Sequence, residues 1–353
     1  MCVLRTAGRS RRCTRLLPAS PCSQEACVAR RECRSWGVST SSGPLSRRGF
    51  LAGTLAAGAS RLRILPQALA AEQAATTPTT APVWQIGCYT RPWGDYDYRV
   101  ALDAIAEAGF RYVGLMTTKS ETRLVISAST SPGEARKIGE EVGGRGLRAI
   151  SAYGGEIPAA EGLDRAVRAM RRLIDNCAAA RVASLMMGGI GDEKLYDVYY
   201  RAIAACCDYA VDNGVAICVK PHGGLNATGP QCRRAIERVG HRNFRLWYDP
   251  GNIYFYSDGR LDPVDDAATV DGLVVGMCVK DYVHPRKVDV TPGTGRVDFR
   301  RVFARLNKGG FTRGPLIVET LTPGDLPTLL AEARKARAFV EGLVRTSPTV
   351  GEA

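Results

Sequence analysis

From residue 83 onward the chain alternates short apolar runs with longer amphipathic ones. The short runs lie at 84–89, 112–116, 147–152, 184–187, 215–220, 244–249, 274–280 and 316–319. None alternates apolar with polar residues along its length, so each reads as a strand covered on both faces. The longer stretches, at 98–108, 132–142, 163–180, 194–213, 230–239, 263–270, 299–306 and 326–344, repeat apolar residues at helical spacing. Val167, Met170, Ile174 and Cys177 follow that spacing through the third of them. Gly109, Gly146, Gly214 and Gly309 each close a helix ahead of the next strand. Eight strand–helix units in sequence predict a single-domain α/β protein, a closed (β/α)8 TIM barrel over residues 83–345, near the roughly 250 residues usual for it. An open doubly wound sheet is the competitor, but no strand is followed by GxGxxG.

A barrel interior is filled by side chains, so chemistry falls to the ends of the strands that face the strand-to-helix loops. The last four strands all end in charge. VAICVKPHGG brings Lys220 and His222, FRLWYDPGN brings Asp249 and Asn252, VVGMCVKDY brings Lys280 and Asp281, and PLIVET brings Glu319. Pro221 biases Lys220 toward extended geometry, so that side chain starts from the sheet. His284 follows on the strand 7 loop, whereas His241 precedes strand 6 at the opposite end and reads as structural.

The formal net charge of +13 invites a nucleic-acid reading, which its distribution removes. Residues 1–70 hold twelve arginines against Glu25 and Glu32, a local +10, leaving +3 for the rest. A body so nearly balanced, with no aromatic-interleaved basic run, carries no footprint for DNA or RNA. The leader resembles a Tat signal peptide: Ser46-Arg47-Arg48-Gly49-Phe50-Leu51, a modest apolar stretch over 51–60, and Ala68-Leu69-Ala70 as a cleavage motif. The expectation is a disordered leader (1–70), export by the Tat translocase to the periplasm, a linker over 71–82 and a short tail over 346–353. The apolar stretch is too short for a permanent membrane anchor. Residues 1 to about 40 precede this signal as a long n-region or through an early start codon. Seven of the twelve cysteines lie beyond the leader, odd in number and mostly inside apolar runs, and read as core residues.

The series VKPHGG, YDPGN, VKDY, PGTGRVDFRRVFARLNKGGF and LIVET resembles the second half of the xylose-isomerase-like barrel family, which includes sugar isomerases, ketose epimerases and an AP-endonuclease branch. The resemblance implies a TIM barrel acting on a small carbohydrate, with a divalent metal (Mn, Zn or Mg) held by Glu on strand 5, Asp on strand 6, His on strand 7 and Glu on strand 8. Asp249 and Glu319 match their positions. Lys220 stands in the strand 5 position, Cys278 in the strand 7 position, Asn252 replaces the histidine of the strand 6 DxxH, and Gly114 falls at the strand 2 glutamate.

A protonated lysine cannot ligate a metal, so the favoured reading has no metal. Lys220 is the cation that stabilises an enediolate, Glu319 the base and Asp249 its orienting partner in a sugar isomerase or epimerase. His222, Asn252, Lys280, Asp281 and His284 are substrate-binding candidates. Were a metal present, Asp249, Glu319 and His222 are its ligands, with Cys278 beside them. A keto-sugar dehydratase, a Schiff-base lysine, a saccharide-binding barrel without turnover, and a purely structural Lys220–Asp249 pair are the alternatives. Lys280 with Asp281 reads equally as an internal salt bridge. Trp93, Tyr96, Tyr254 and Tyr256 offer faces for a sugar ring or pack as lids. Gly293 and Gly295 would let backbone N–H groups approach an anion or sugar oxygen.

Overall fold

The computed structural model describes residues 84–346; the leader with its twin-arginine pattern, the linker and nearly all of the tail lie outside them. Eight parallel strands close into a barrel in chain order, as the pattern predicts. They are β1 (Trp84–Tyr89), β2 (Tyr112–Leu115), β3 (Arg148–Tyr153), β4 (Ser184–Met187), β5 (Ala216–Val219), β6 (Phe244–Tyr248), β7 (Val274–Val279) and β8 (Gly314–Val318). The helices are α1 (Tyr98–Glu107), α2 (Pro132–Gly143), α3 (Leu163–Ala179), α4 (Glu193–Ala204), α5 (Cys207–Asp212), α6 (Gly229–Val239), α7 (Pro250–Tyr256), α8 (Pro263–Ala268), α9 (Phe299–Lys308) and α10 (Leu326–Arg345). The ring shuts where β1 pairs with β8, Trp84 opposite Gly314 and Cys88 opposite Val318. None of the helices among the described residues is long and apolar enough to cross a membrane.

Local chemistry sets the helix starts. Ser131 and Glu134 form a capping box ahead of α2 with Pro132 in its first turn, and Thr228 with Gln231 does the same for α6. Three details differ from the sequence pattern. The stretch 194–213 divides into α4 and α5 around Ala205 and Cys206, and the adjacent Cys206 and Cys207 are both fully buried there. After α9 the left-handed residue is Gly310 (φ 98°), while Gly309 keeps φ −81°. Helix α7 is additional: Asp249 caps it, accepting the Asn252 N–H at 2.9 Å, and Pro250 sits in its first turn.

Two apolar layers result. The larger one lies between sheet and helices and includes Leu102, Ile105, Leu173, Ile174 and Phe303. The inner one fills the barrel with Tyr89, Met116, Ile150, Met186, Cys218, Trp247, Cys278 and Ile317. Side chains alternate along a strand, so residues two beyond an inner one face inward again. That step takes Cys218 to Lys220, Trp247 to Asp249, Cys278 to Lys280 and Ile317 to Glu319. The register of the barrel therefore delivers four charges to one end. All seven cysteines of the described residues are buried and unpaired.

Tyr89 can lie across the barrel because β2 has a glycine beneath it: a Cβ on Gly114 would stand 2.1 Å from the Tyr89 ring. Gly114→Ala should therefore overpack the inner layer and destabilise the protein by about 1–3 kcal/mol. A urea midpoint unchanged from wild type would show that the ring moves aside at no cost.

Candidate active site

Lys220, Asp249, Lys280 and Glu319 meet at the C-terminal end of the barrel, respectively 1%, 0%, 4% and 2% exposed. Lys220 Nζ lies 2.5 Å from Glu319 Oε2 and 3.0 Å from Asp249 Oδ2. Lys280 Nζ lies 2.7 Å from Glu319 Oε1 and 3.7 Å from Asp249 Oδ2. Two carboxylates thus face two ammonium groups in near absence of water, the condition under which buried charge is tolerated. Asp249 Oδ1 is taken by the Asn252 N–H, whereas Oδ2 is ion-paired to Lys220 without a well-aligned hydrogen bond.

The neighbours fix the lysines. Asn252 donates from Nδ2 to the Pro221 carbonyl at 2.6 Å and accepts Lys280 Nζ on Oδ1 at 3.0 Å, tying the ends of β5 and β7 together. Lys280 is thus bound to Glu319 and Asn252, and the alternative pairing with the adjacent Asp281 does not form. Asp281 is fully buried, its Oδ1 accepting the N–H groups of Tyr282 (2.8 Å) and Val297 (3.0 Å), its Oδ2 those of Gly293 (2.9 Å) and Gly295 (2.8 Å). The glycine-rich loop does bind an anion, and the anion is the protein's own.

Above the four charges stands a ring of wider side chains. His222 reaches the exposed mouth between Tyr153 and Tyr256, with ring centroids at 5.8 and 6.1 Å. Gly188 makes room for it, since a Cβ there would lie 3.0 Å from His222 Nδ1 and 2.6 Å from the Tyr153 hydroxyl. The protein packed around the inner edge of the imidazole, and then the Lys220 charge, push its pKa down to about 4, so His222 is neutral at pH 7. Arg91, two residues beyond inner Tyr89, pairs with Asp289 at 2.7 Å. Burial opposes its charge, and Glu319, Asp289 and Asp249 outweigh that and raise its pKa. Sequence reasoning missed Arg91 and Tyr153; Arg91 opens the short 3-10 turn Arg91–Trp93 that follows β1, where strand alternation no longer places side chains.

Other candidates lie elsewhere. His284 is exposed, with Nδ1 3.2 Å from the Tyr282 hydroxyl. Trp93 is buried, and Tyr254 is buried and stacked on Tyr282 at 5.4 Å. Tyr96 is exposed. His241, as expected, is structural: Nε2 lies 3.1 Å from Asp208 and Nδ1 accepts the Asn243 N–H.

Burial alone would raise the Glu319 pKa, but Lys220, Lys280 and Arg91 together hold it well below the usual carboxylate range. Burial likewise works against the Lys220 charge, and the carboxylates overcome it, keeping that pKa well above the ordinary lysine value. Cys278, 4.0 Å from Lys220 Nζ, is held as a neutral thiol by burial. Asp249, Cys278 and Glu319 each offer a ligand atom within 4.8 Å of the others, a spacing that suits a metal ion. His222 is not part of that group. The Lys220 ammonium already touches all three atoms, and at 4 Å a like-charged pair repels by about 4 kcal/mol per unit charge product even at an effective dielectric of 20. With that ammonium in place the residues do not fit a divalent ion.

Residues 102–341 match the family described as xylose isomerase-like TIM barrel. No curated protein matches the chain in sequence. Among solved structures it is similar to a xylose isomerase domain protein from Planctomyces limnophilus, with 19% identity, 75% of this chain and 98% of that one covered, and a TM-score of 0.59. A D-psicose 3-epimerase determined in the presence of D-fructose aligns at 17% identity over 74% and 99% of the two chains, TM-score 0.57. A D-allulose 3-epimerase from Methylomonas sp., in complex with D-allulose, aligns at 18% over 74% and 97%, TM-score 0.57. At these identities the structural likeness speaks for the fold, and the family match covers most of the chain. Both lead to one conclusion: this chain belongs to the xylose isomerase-like TIM barrel family.

Proposed function

We propose that the chain is a carbohydrate isomerase or epimerase that moves a proton next to a carbonyl, with the Lys220 ammonium as its electrophile. The observation carrying this reading is the placement of Lys220 Nζ within contact of both Glu319 and Asp249 at the loop end of the barrel. The family and its epimerase neighbours support the substrate class.

In the resting site Glu319 is a weak base, because each of its oxygens carries an ammonium. A substrate carbonyl that draws Lys220 to itself removes one of those charges. Burial then acts on a less compensated carboxylate and raises its pKa toward a useful value. Glu319 takes the proton from the carbon beside the carbonyl, and Lys220 holds the enediolate oxygen that forms. Return of the proton by Glu319 to the former carbonyl carbon, while the hydroxyl proton passes by way of Asp249 Oδ2 to the former carbonyl oxygen, gives the isomer; the epimer forms when Glu319 gives its proton up to solvent and a water delivers one to the original carbon from the opposite face. Lys280 stays on Oε1, and Asp249 Oδ2 accepts a substrate hydroxyl. Neutral His222, with Tyr153 and Tyr256, lines the entry and contacts the sugar. The twin-arginine leader extends the proposal: the folded barrel is carried by the Tat translocase and works in the periplasm.

One observation favours a second reading. With both Glu319 oxygens paired, a ligand that leaves Lys220 in place would be held without turnover, and the barrel would be a saccharide-binding module.

Incubation with a panel of ketoses and aldoses in deuterated water should show exchange at the carbon beside the carbonyl. The exchange should be undiminished by EDTA and lost in Lys220→Met. Exchange that disappears with chelator rejects this mechanism, and saccharide binding without any exchange selects the binding module.

The pairing also carries a pH signature. Glu319, with its pKa depressed on folding, contributes stability that is full above its unfolded value of about 4.3 and is lost as pH falls through the folded one. Breaking the pair by Lys220→Met should cost about 3–5 kcal/mol above pH 5, and the difference from wild type should narrow on acidification. Chemical denaturation across pH measures it; a difference that is constant with pH would mean that these two groups do not interact.

A further inference from the structure

Two carboxylates buried beside two lysines carry the same net charge as two carboxylates around one divalent ion. Lys220 touches the three atoms of the Asp249–Cys278–Glu319 group, and Lys280 takes the remaining oxygen of Glu319 from the other side. Asn252 pins Lys280 where it is, at 3.0 Å. Among the described residues neither lysine has another carboxylate: beyond Asp249 and Glu319, Lys220 contacts Cys278 and Lys280 contacts Asn252. The pair stands between the acids, within salt-bridge distance of them and buried.

We infer that Lys220 and Lys280 act jointly as a built-in replacement for a divalent ion, so that Asp249, Cys278 and Glu319 can accept one only when the ammonium groups are removed. This goes beyond the proposed reaction, since it concerns charge and geometry and holds whether or not the barrel turns a sugar over. The three donors define the metal class. One thiolate with two carboxylates, each giving one atom, suits a tetrahedral zinc or cobalt centre with one position left for water, and is a poor match for magnesium. Binding would release the Cys278 proton to solvent as the thiolate forms. Removing the lysines leaves two buried carboxylates repelling each other, and that repulsion is what a bound dication relieves.

Cobalt(II) is the probe, because a thiolate ligand announces itself by a charge-transfer absorption. Wild-type protein should take up no stoichiometric cobalt or zinc, and its melting temperature should be indifferent to added metal and to EDTA. The Lys220→Ala/Lys280→Ala variant should bind one equivalent of cobalt with thiolate charge transfer, gain several degrees in melting temperature, and lose the absorption when Cys278→Ser is added. Where the double variant does not fold alone, Lys220→Ala carries the same comparison. Wild-type protein that holds one equivalent of metal and melts earlier in EDTA overturns the inference. So does a folded variant that takes up none. Sugar exchange is not read in this experiment, so its outcome is separate from that of the proposed reaction.

Discussion

Charges sealed from water must cancel locally, and in this barrel that requirement falls on four side chains from four strands. Any one of Lys220, Asp249, Lys280 or Glu319 left without its partners would face a desolvation penalty of several kcal/mol. The strand register meets the requirement. Because inner positions recur every second residue, the same stagger that stacks Cys218, Trp247, Cys278 and Ile317 inside the barrel stacks the four charges one layer above. A one-residue slip of β5 or β8 would turn Lys220 or Glu319 toward the helices. Fold and site are therefore specified by one feature, and the network rewards only the correct register.

Much of this was legible in the chain. The unbroken apolar runs, separated by helical stretches, define a parallel closed sheet, and the charged strand ends mark which rim matters. The identity of Lys220, Asp249 and Glu319 as a cluster followed from their strand positions. What sequence could not show was connectivity among side chains. Lys280 next to Asp281 suggests a local pair, yet alternation sends the two to opposite sides, Lys280 to Glu319 and Asp281 to the amides of the glycine loop. Helix α7 was legible in principle, since Asp249-Pro250 is a cap followed by a first-turn proline; the aspartate caps the helix with Oδ1 and faces Lys220 with Oδ2. Arg91 was overlooked because its run ends in an aromatic residue and not in charge.

The departures from the family pattern are mutually consistent. Tyr89 fills the space over Gly114 where the resemblance leads one to expect a glutamate, Lys220 brings an ammonium to the strand 5 position, and Cys278 is a buried neutral thiol. Each change alone would leave a metal centre short of a ligand or burdened with a stray charge. Together they leave Asp249 and Glu319 facing the ammonium groups of Lys220 and Lys280, two negative charges against two positive ones. The family's fold is retained, and at its charged end two ammonium groups stand against two carboxylates.

The carboxylate of Asp281 has a further meaning for how this mouth meets a guest. Four backbone amides converge on it, so the wall formed by residues 293–297 carries its own counterion from the moment the chain folds. Such a wall does not wait for a visitor to take shape, and it offers no free amide cradle to a phosphate. A guest would meet that wall by its contour and not through unpaired amides.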